Sequence, residues 1–187
     1  MKIIQLHSNQ KSLLKKAKQN DREAQKRLFD LYASKMLSVC RYYIKDVQTA
    51  ESVMLSGFLK VLTKLDLYSG SGSFEGWIRR IVAREAISYL RSQKRIEFSV
   101  EEVTVPHSYE NNIQSAMDVA QIQQLIDKLP DGYRIVFVMY AIEGYKHHEI
   151  AKELGISEGT SKSQLFKARK LLQQQLTALN TTSYGTV

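Results

Sequence analysis

Hydrophobic residues recur along this chain every three or four positions, a spacing that predicts helices and leaves no clear strand pattern. Asn20-Asp21-Arg22-Glu23 reads as a capping-box-like start, with the acid three residues after the cap. From there Leu28, Leu31, Tyr32, Met36 and Val39 repeat at helical spacing. A second long helix is predicted over Ala50 to Leu65, with Val53, Met54, Phe58, Val61, Leu62 and Leu65 apolar. Ser69-Gly70-Ser71-Gly72-Ser73 then breaks the chain. Ser73 is placed to cap a third long helix, Phe74 to about Arg95. A short helix over Lys11–Gln19 precedes the three.

The second half follows the same period. Ile122, Leu125, Ile126 and Leu129 form a stripe that ends at Pro130. Tyr133, Val136, Phe137 and Tyr140 repeat it in a further helix closed by Gly144. His147 to Leu154 then forms a short helix carrying the small residue Ala151, and Gly155 follows where a tight turn needs positive φ. Ser157 caps a last helix through about Leu172, which buries Leu165, Ala168, Leu171 and Leu172. This is a helix-turn-helix. The fold class is therefore all-α, in two helical domains. The domains span 1–95 and 119–176, with a linker over 96–118 and a disordered tail over 177–187.

Charge sharpens that division. The net charge is +8, which suits a polyanionic partner. Residues 1–95 carry 19 Lys/Arg against 8 acids, whereas residues 96–127 carry no Lys or Arg and six acids. Residues 128–187 return to a net +3. An acidic segment between two basic units marks a linker, and Phe98 to Asn112 reads as extended chain rather than a strand in a sheet. The longest apolar run, Ile135 to Ile142, is too short to span a bilayer. The first residues hold no stretch suited to a signal peptide. A soluble cytoplasmic protein is expected. Cys40 is the only cysteine and sits among apolar residues, so a buried, inert thiol is expected.

Candidate chemistry lies on two helices. At about 100° per residue, Ile78, Val82, Ala86 and Tyr89 share one side of the third helix. Arg80, Arg84, Arg91 and Arg95 fall within roughly 60° of each other on nearly the opposite side. A solvated helix face usually mixes signs. This one hardly does, which favours phosphate binding over a plain solvated face, since arginines reach backbone phosphates. Phe74 and Trp77 open that helix beside the Gly/Ser loop; spacing alone leaves them as core residues or as walls of a pocket for an unstacked base. On the last helix, Glu158, Thr160, Ser161, Lys162, Gln164 and Lys167 interleave short or amide side chains with lysines, the types that read base edges and hold phosphates. His147-His148-Glu149 suggests a metal, but adjacent helical side chains point about 100° apart and cannot share an ion. No metal and no cofactor are expected. No carboxylate cluster or nucleophile arrangement points to an enzyme.

Leu129-Pro130-Asp131-Gly132-Tyr133-Arg134, followed by Glu149-Ile150-Ala151 and Leu154-Gly155-Ile156-Ser157, resembles the C-terminal DNA-binding region of sigma-70 family factors. Phe58-Leu59-Lys60-Val61, then Gly72-Ser73-Phe74 with Trp77-Ile78-Arg79-Arg80, resembles the family's first region. With only these two regions and a short linker, the chain is similar to the extracytoplasmic-function (ECF) group.

The resemblance implies a promoter-directed initiation factor whose partners are RNA polymerase core and promoter DNA, with an anti-sigma factor expected and no small-molecule substrate. Its helix-turn-helix would read the distal promoter element through the six residues from Glu158 to Lys167. Its first domain would melt and read the proximal element through Phe74, Trp77, Arg80, Arg84, Arg91 and Arg95. Polymerase would dock on the second helix, at Glu51, Met54, Leu55 and Phe58, and the acidic linker would thread polymerase's basic channel. Two positions depart from the family. Of the acids and glutamines usual along the docking helix only Glu51 is retained in the corresponding stretch, residues 49–57, and Arg84 stands where an uncharged amide is common. A sigma mimic that titrates an anti-sigma protein is the alternative reading. A stand-alone helix-turn-helix regulator would leave the N-terminal unit without a role.

Overall fold

The computed structural model of the chain describes residues 2–93 and 119–183, apart from the side chains of 2–9, 119 and 180–183. Among the described residues all regular structure is helical. The chain divides into two compact units, Met1–Tyr89 and Leu90–Val187. The expected linker and Arg95 lie outside the described residues.

The first unit contains α1 (Lys2–Lys18), α2 (Arg22–Tyr43), α3 (Val47–Thr63) and most of α4 (Phe74–Ser92), with a single 3-10 turn at Leu65–Leu67. The first of these is longer than the short helix predicted over Lys11–Gln19. The cap of α2 sits one residue later than predicted: Asp21 accepts from the Ala24 amide at 3.0 Å. Asn20 instead takes a left-handed φ of 61°, and so ends α1 rather than starting α2. Asp46 caps α3 in the same way, accepting from the Thr49 amide at 2.8 Å.

Leu28, Met36, Val39, Tyr43, Val61, Ile78, Val82 and Ala86 form the core, each essentially excluded from solvent. The larger aliphatic side chains among them contribute roughly 1.5–3 kcal/mol each when fully buried. Leu31, which shares their sequence period, is 57% exposed and is no core residue. α3 and α4 approach closely at Gly57, where an added Cβ would lie 3.2 Å from Val82 Cγ2 and 3.3 Å from Val82 Cα.

The second unit contains α5 (Val119–Asp127), α6 (Asp131–Phe137), α7 (His147–Leu154) and α8 (Glu158–Ser183). Leu125, Ile126 and Leu129 are buried as the stripe predicts, while Ile122 is exposed. The stripe of α6 differs from the predicted one. Ile135, Val136 and Met139 are buried, and Tyr133 and Phe137 are only half-buried. A π-helical turn, Val138–Ile142, follows α6, with the Glu143 amide bonded to the Val138 carbonyl. Its wider turn changes the helical register, and Tyr140 lies at the surface.

Gly155 ends α7 at φ 69°, a left-handed conformation that a side chain would strain. Ser157 Oγ accepts from the Thr160 amide at 2.9 Å and so caps α8. The helix runs to Ser183, past the predicted end near Leu172 and through most of the expected disordered tail. No glycine or proline interrupts residues 158–183 after Gly159, and Gln, Leu and Ala there favour continuation.

Candidate nucleic-acid interface

In the first unit the Gly/Ser loop is held against an aromatic cluster. Phe74, the first residue of α4, is 3% exposed and belongs to the core. Its ring packs edge-on against Tyr32 and Tyr68, at 5.5 and 5.1 Å, and stacks on Trp77 at 5.7 Å. Tyr68 and Trp77 are half-exposed, 5.4 Å apart. Phe74 is therefore a core residue, and Trp77 is a half-exposed ring stacked on it.

The loop itself is pinned at two points. Tyr68 Oη donates to the Gly72 carbonyl at 2.8 Å, and Lys18 Nζ of α1 donates to the Tyr68 carbonyl at 3.1 Å. Beside it lies a cavity of about 660 Å³, lined by the loop, Tyr32, Phe74 and one face of α1. That volume admits a nucleobase. Tyr32 holds α1 in place by accepting a 2.7 Å bond from Gln10. Burial chiefly, with the Glu75 charge second, pushes its phenol above the usual tyrosine range.

Arg80, Arg84 and Arg91 are exposed along α4, and Glu85, the acid within that stretch, is bound by Lys60 of α3. The face is thereby left strongly basic.

On α3 the four residues expected to dock a partner do not share a surface. Glu51 and Leu55 face solvent, Leu55 at 48% exposure. Met54 and Phe58 are buried in the core, Phe58 edge-on against Phe29 at 5.1 Å. Both side chains face the core rather than the outer surface of α3. Leu59, one helical turn beyond Leu55, is 63% exposed and lies on the same outward face as Glu51 and Leu55. The spacing of Glu51, Leu55 and Leu59, four residues apart, carried that signal in the sequence.

In the second unit the outward face of α8 differs from the expected set in two residues. Glu158 and Lys162 are exposed, and Thr160 and Lys167 are half-exposed. Thr160 also bonds the capping Ser157 hydroxyl at 2.8 Å. Ser161 and Gln164 are completely buried. They fall four residues and one before Leu165, on the side of α8 that packs against α6 and α7. Ser161 Oγ instead meets His147 Nδ1 at 2.9 Å. The His147 ring stacks on Tyr140 at 4.7 Å, and Arg169 lies 5.5 Å from the centre of the same tyrosine ring. Burial, followed by the Lys162 and Arg169 charges, lowers the His147 pKa, with Glu158 opposing. Arg134, also fully buried, is paired with Asp131 at 2.9 Å and braces the start of α6.

Among the described residues no cluster of His, Cys, Asp or Glu is placed to hold a metal, and no helix is long and apolar enough to cross a membrane. Burial raises the Cys40 thiol to about 12, which leaves it protonated and unreactive at neutral pH.

The helix-turn-helix and the basic α4 beside its loop pocket each have counterparts. The family model described as sigma-70 region 2 matches residues 28–96, and that of sigma-70 region 4 matches residues 120–172. The ECF RNA polymerase sigma factor SigW of Bacillus subtilis is 28% identical over 179 residues, covering 89% of this chain and 96% of that protein. SigM of the same organism is 25% identical over 151 residues, covering 77% and 91%. Sigma factor RpoE from Bartonella quintana, solved in complex with the anti-sigma factor NepR, shares the fold. Its TM-score is 0.52 at 20% identity, over 81% of this chain and 96% of that one.

Two helical units matching regions 2 and 4, in that order, define a sigma-70 family protein, and the chain belongs to that family. Within it, the chain is an ECF-type RNA polymerase sigma factor, one of a family of transcription regulators.

Proposed function

We propose that this sigma factor divides the promoter between its two units and acts through binding alone, without catalysis. The carrying observation is the pairing, in one chain, of a helix-turn-helix with an exposed basic face and a loop pocket beside a row of exposed arginines. Lys162 and Lys167 hold phosphates of the distal element, and Glu158 and Thr160 lie at the base edges. Arg80, Arg84 and Arg91 bind the backbone of the proximal element. One unstacked base of the melted strand enters the pocket lined by Tyr68 and Phe74, with Trp77 packed against Tyr68 just outside the lining. Its stacking there offsets part of the few kcal/mol or so that unpairing costs.

RNA polymerase core docks on the outward face of α3, through Glu51, Leu55 and Leu59. That face is apolar and hydroxyl-bearing where the family is usually acidic, so its contact rests more on buried apolar area than on charge. Its exposed leucines favour a protein partner, polymerase or an anti-sigma factor, over bare solvent. The acidic segment 96–118 suits polymerase's nucleic-acid channel by charge.

Run-off transcription tests this reading, using purified bacterial core polymerase and a library of fragments from the source genome. New, discrete start sites that depend on the protein support it. Absence of transcripts with folded protein and active core refutes it, in favour of the sigma-mimic alternative.

A further inference from the structure

The α1 side of the loop pocket has a chemistry that base capture does not use. Lys11, Lys15 and Lys18 line it together with Gln10 and Leu14, positions that recur on one face of the helix. Glu75, the acid among the described lining residues, is bound to Lys35 at 2.6 Å, so it offers the three lysines little compensation. Lys18 is committed to the Tyr68 carbonyl. Lys11 and Lys15 are exposed at the rim. Across from them the loop leaves open space: a Cβ added at Gly70 or Gly72 would meet nothing within 4 Å. The pocket thus has an aromatic floor, an open glycine side and a cationic wall. A base fits the first, and its phosphodiester fits the last. The region 2 family model begins at residue 28, so α1 lies outside the segment that defines the family.

We propose that α1 is the phosphate wall of this pocket, with Lys11 and Lys15 binding the strand phosphates that flank the captured nucleotide. Lys18 is a positioning residue that fixes the loop through Tyr68. This proposal rests on the reading that the pocket takes an unstacked base. It adds that α1 supplies much of the affinity for single-stranded DNA and does so without regard to sequence. Lys16, on the same helix and equally charged, is exposed but does not line the pocket and serves as its internal control.

The test is fluorescence anisotropy with the full chain and a labelled 12-nucleotide single-stranded DNA pool of random sequence, titrated at several salt concentrations. K11A/K15A is expected to weaken binding about tenfold at 0.1 M salt and to flatten the log–log salt slope by about 1.4, since each single-strand phosphate contact contributes about 0.7. K16A is expected to match the wild type. Equal behaviour of K11A/K15A and K16A overturns the phosphate wall. Tyr68→Ala separates the two levels. If it abolishes binding while K11A/K15A does not, base capture stands and the role of α1 falls. If the wild type binds no single strand, both fall. An excess of free deoxynucleoside monophosphates is expected not to displace the oligonucleotide. Displacement at matched nucleotide concentration identifies the pocket as one for free nucleotides and overturns the strand assignment.

Discussion

Ser161 Oγ on α8 lies 2.9 Å from His147 Nδ1 on α7, a bridge across the helix-turn-helix that fixes the angle of one helix against the other. Ser161 is fully buried there, whereas Lys162, the next residue, is exposed. Adjacent positions on one helix therefore do opposite work. Ser161→Ala is expected to lower unfolding stability by about 1 kcal/mol, the typical net value of a hydrogen bond, and to leave the salt dependence of promoter binding unchanged. Lys162→Ala is expected to do the reverse: stability within about 0.5 kcal/mol, and a salt slope flattened by about 0.9, one duplex phosphate. Urea denaturation and anisotropy on the promoter duplex read the two quantities. A changed base preference in folded Ser161→Ala would return that residue to the reading face.

The same bridge makes the second unit sensitive to mild acid. His147 has a folded-state pKa below its ordinary 6.5, because burial disfavours the imidazolium and Lys162 and Arg169 repel it. The unfolded chain therefore takes up its proton first as pH falls. The stability conferred by neutral His147 is complete above about pH 6.5 and is lost as pH drops below it toward the lower folded value. Thermal melts between pH 7.5 and 5.5 should show a falling Tm in the wild type and a flatter profile in His147→Gln. Identical profiles would assign the acid sensitivity elsewhere.

The helix-turn-helix was legible from a few residues with strong physical requirements: the turn at Gly155, the cap at Ser157, and the Leu165–Ala168 stripe. Which candidate residues of α8 face outward was only half legible. Ser161 and Gln164 precede Ala168 by seven and four positions, so the period alone puts them on the buried side. Their polarity suggested otherwise. Met54 and Phe58 show the same pattern on α3, where they complete the apolar stripe and face the core. The π-helical turn after Phe137 is different. It changes the register of an uninterrupted apolar run, Ile135 to Ile142, which carries no local mark of where the turn widens. The pocket was legible as a Gly/Ser loop beside aromatics, but its α1 wall depends on tertiary packing across some fifty residues of sequence, from Lys18 to Tyr68.

On the proposed docking face, neighbouring residues of α3 are expected to separate polymerase binding from folding. Leu59→Glu or Leu55→Glu places charge on the exposed face. Each is expected to weaken binding to polymerase core at least about tenfold, the effect of losing a well-packed interface residue, while the urea midpoint stays near that of the wild type. Phe58→Ala opens a cavity beside Phe29 and should cost about 3–5 kcal/mol of stability. Pull-down of core polymerase with the purified variants, alongside denaturation, distinguishes these outcomes. Full polymerase binding by both leucine variants would move the docking surface off α3.

Gly57 governs how closely α3 can approach α4, and through α4 where the arginine row stands. A methyl group there would sit 3.2 Å from Val82 Cγ2 and 3.3 Å from Val82 Cα. The first contact is with a side chain and can be relieved by Val82→Ala. The second is with backbone and can be relieved only by moving a helix. Replacing a helical glycine by alanine ordinarily stabilises by about 1 kcal/mol, and overpacking a tight interface costs about 1–3 kcal/mol. For Gly57→Ala the propensity gain offsets only part of the packing cost, so a net loss of about 1 kcal/mol is expected. For Gly57→Leu the added volume has no space to enter, and a loss of about 3 kcal/mol is expected. Denaturation curves give both values. Because α4 must shift to admit either side chain, single-stranded DNA binding measured under folding conditions should weaken with Gly57→Leu even where the protein remains folded. A variant that is destabilised yet binds DNA normally would show that the α3–α4 spacing serves the core and leaves the arginine row where it was.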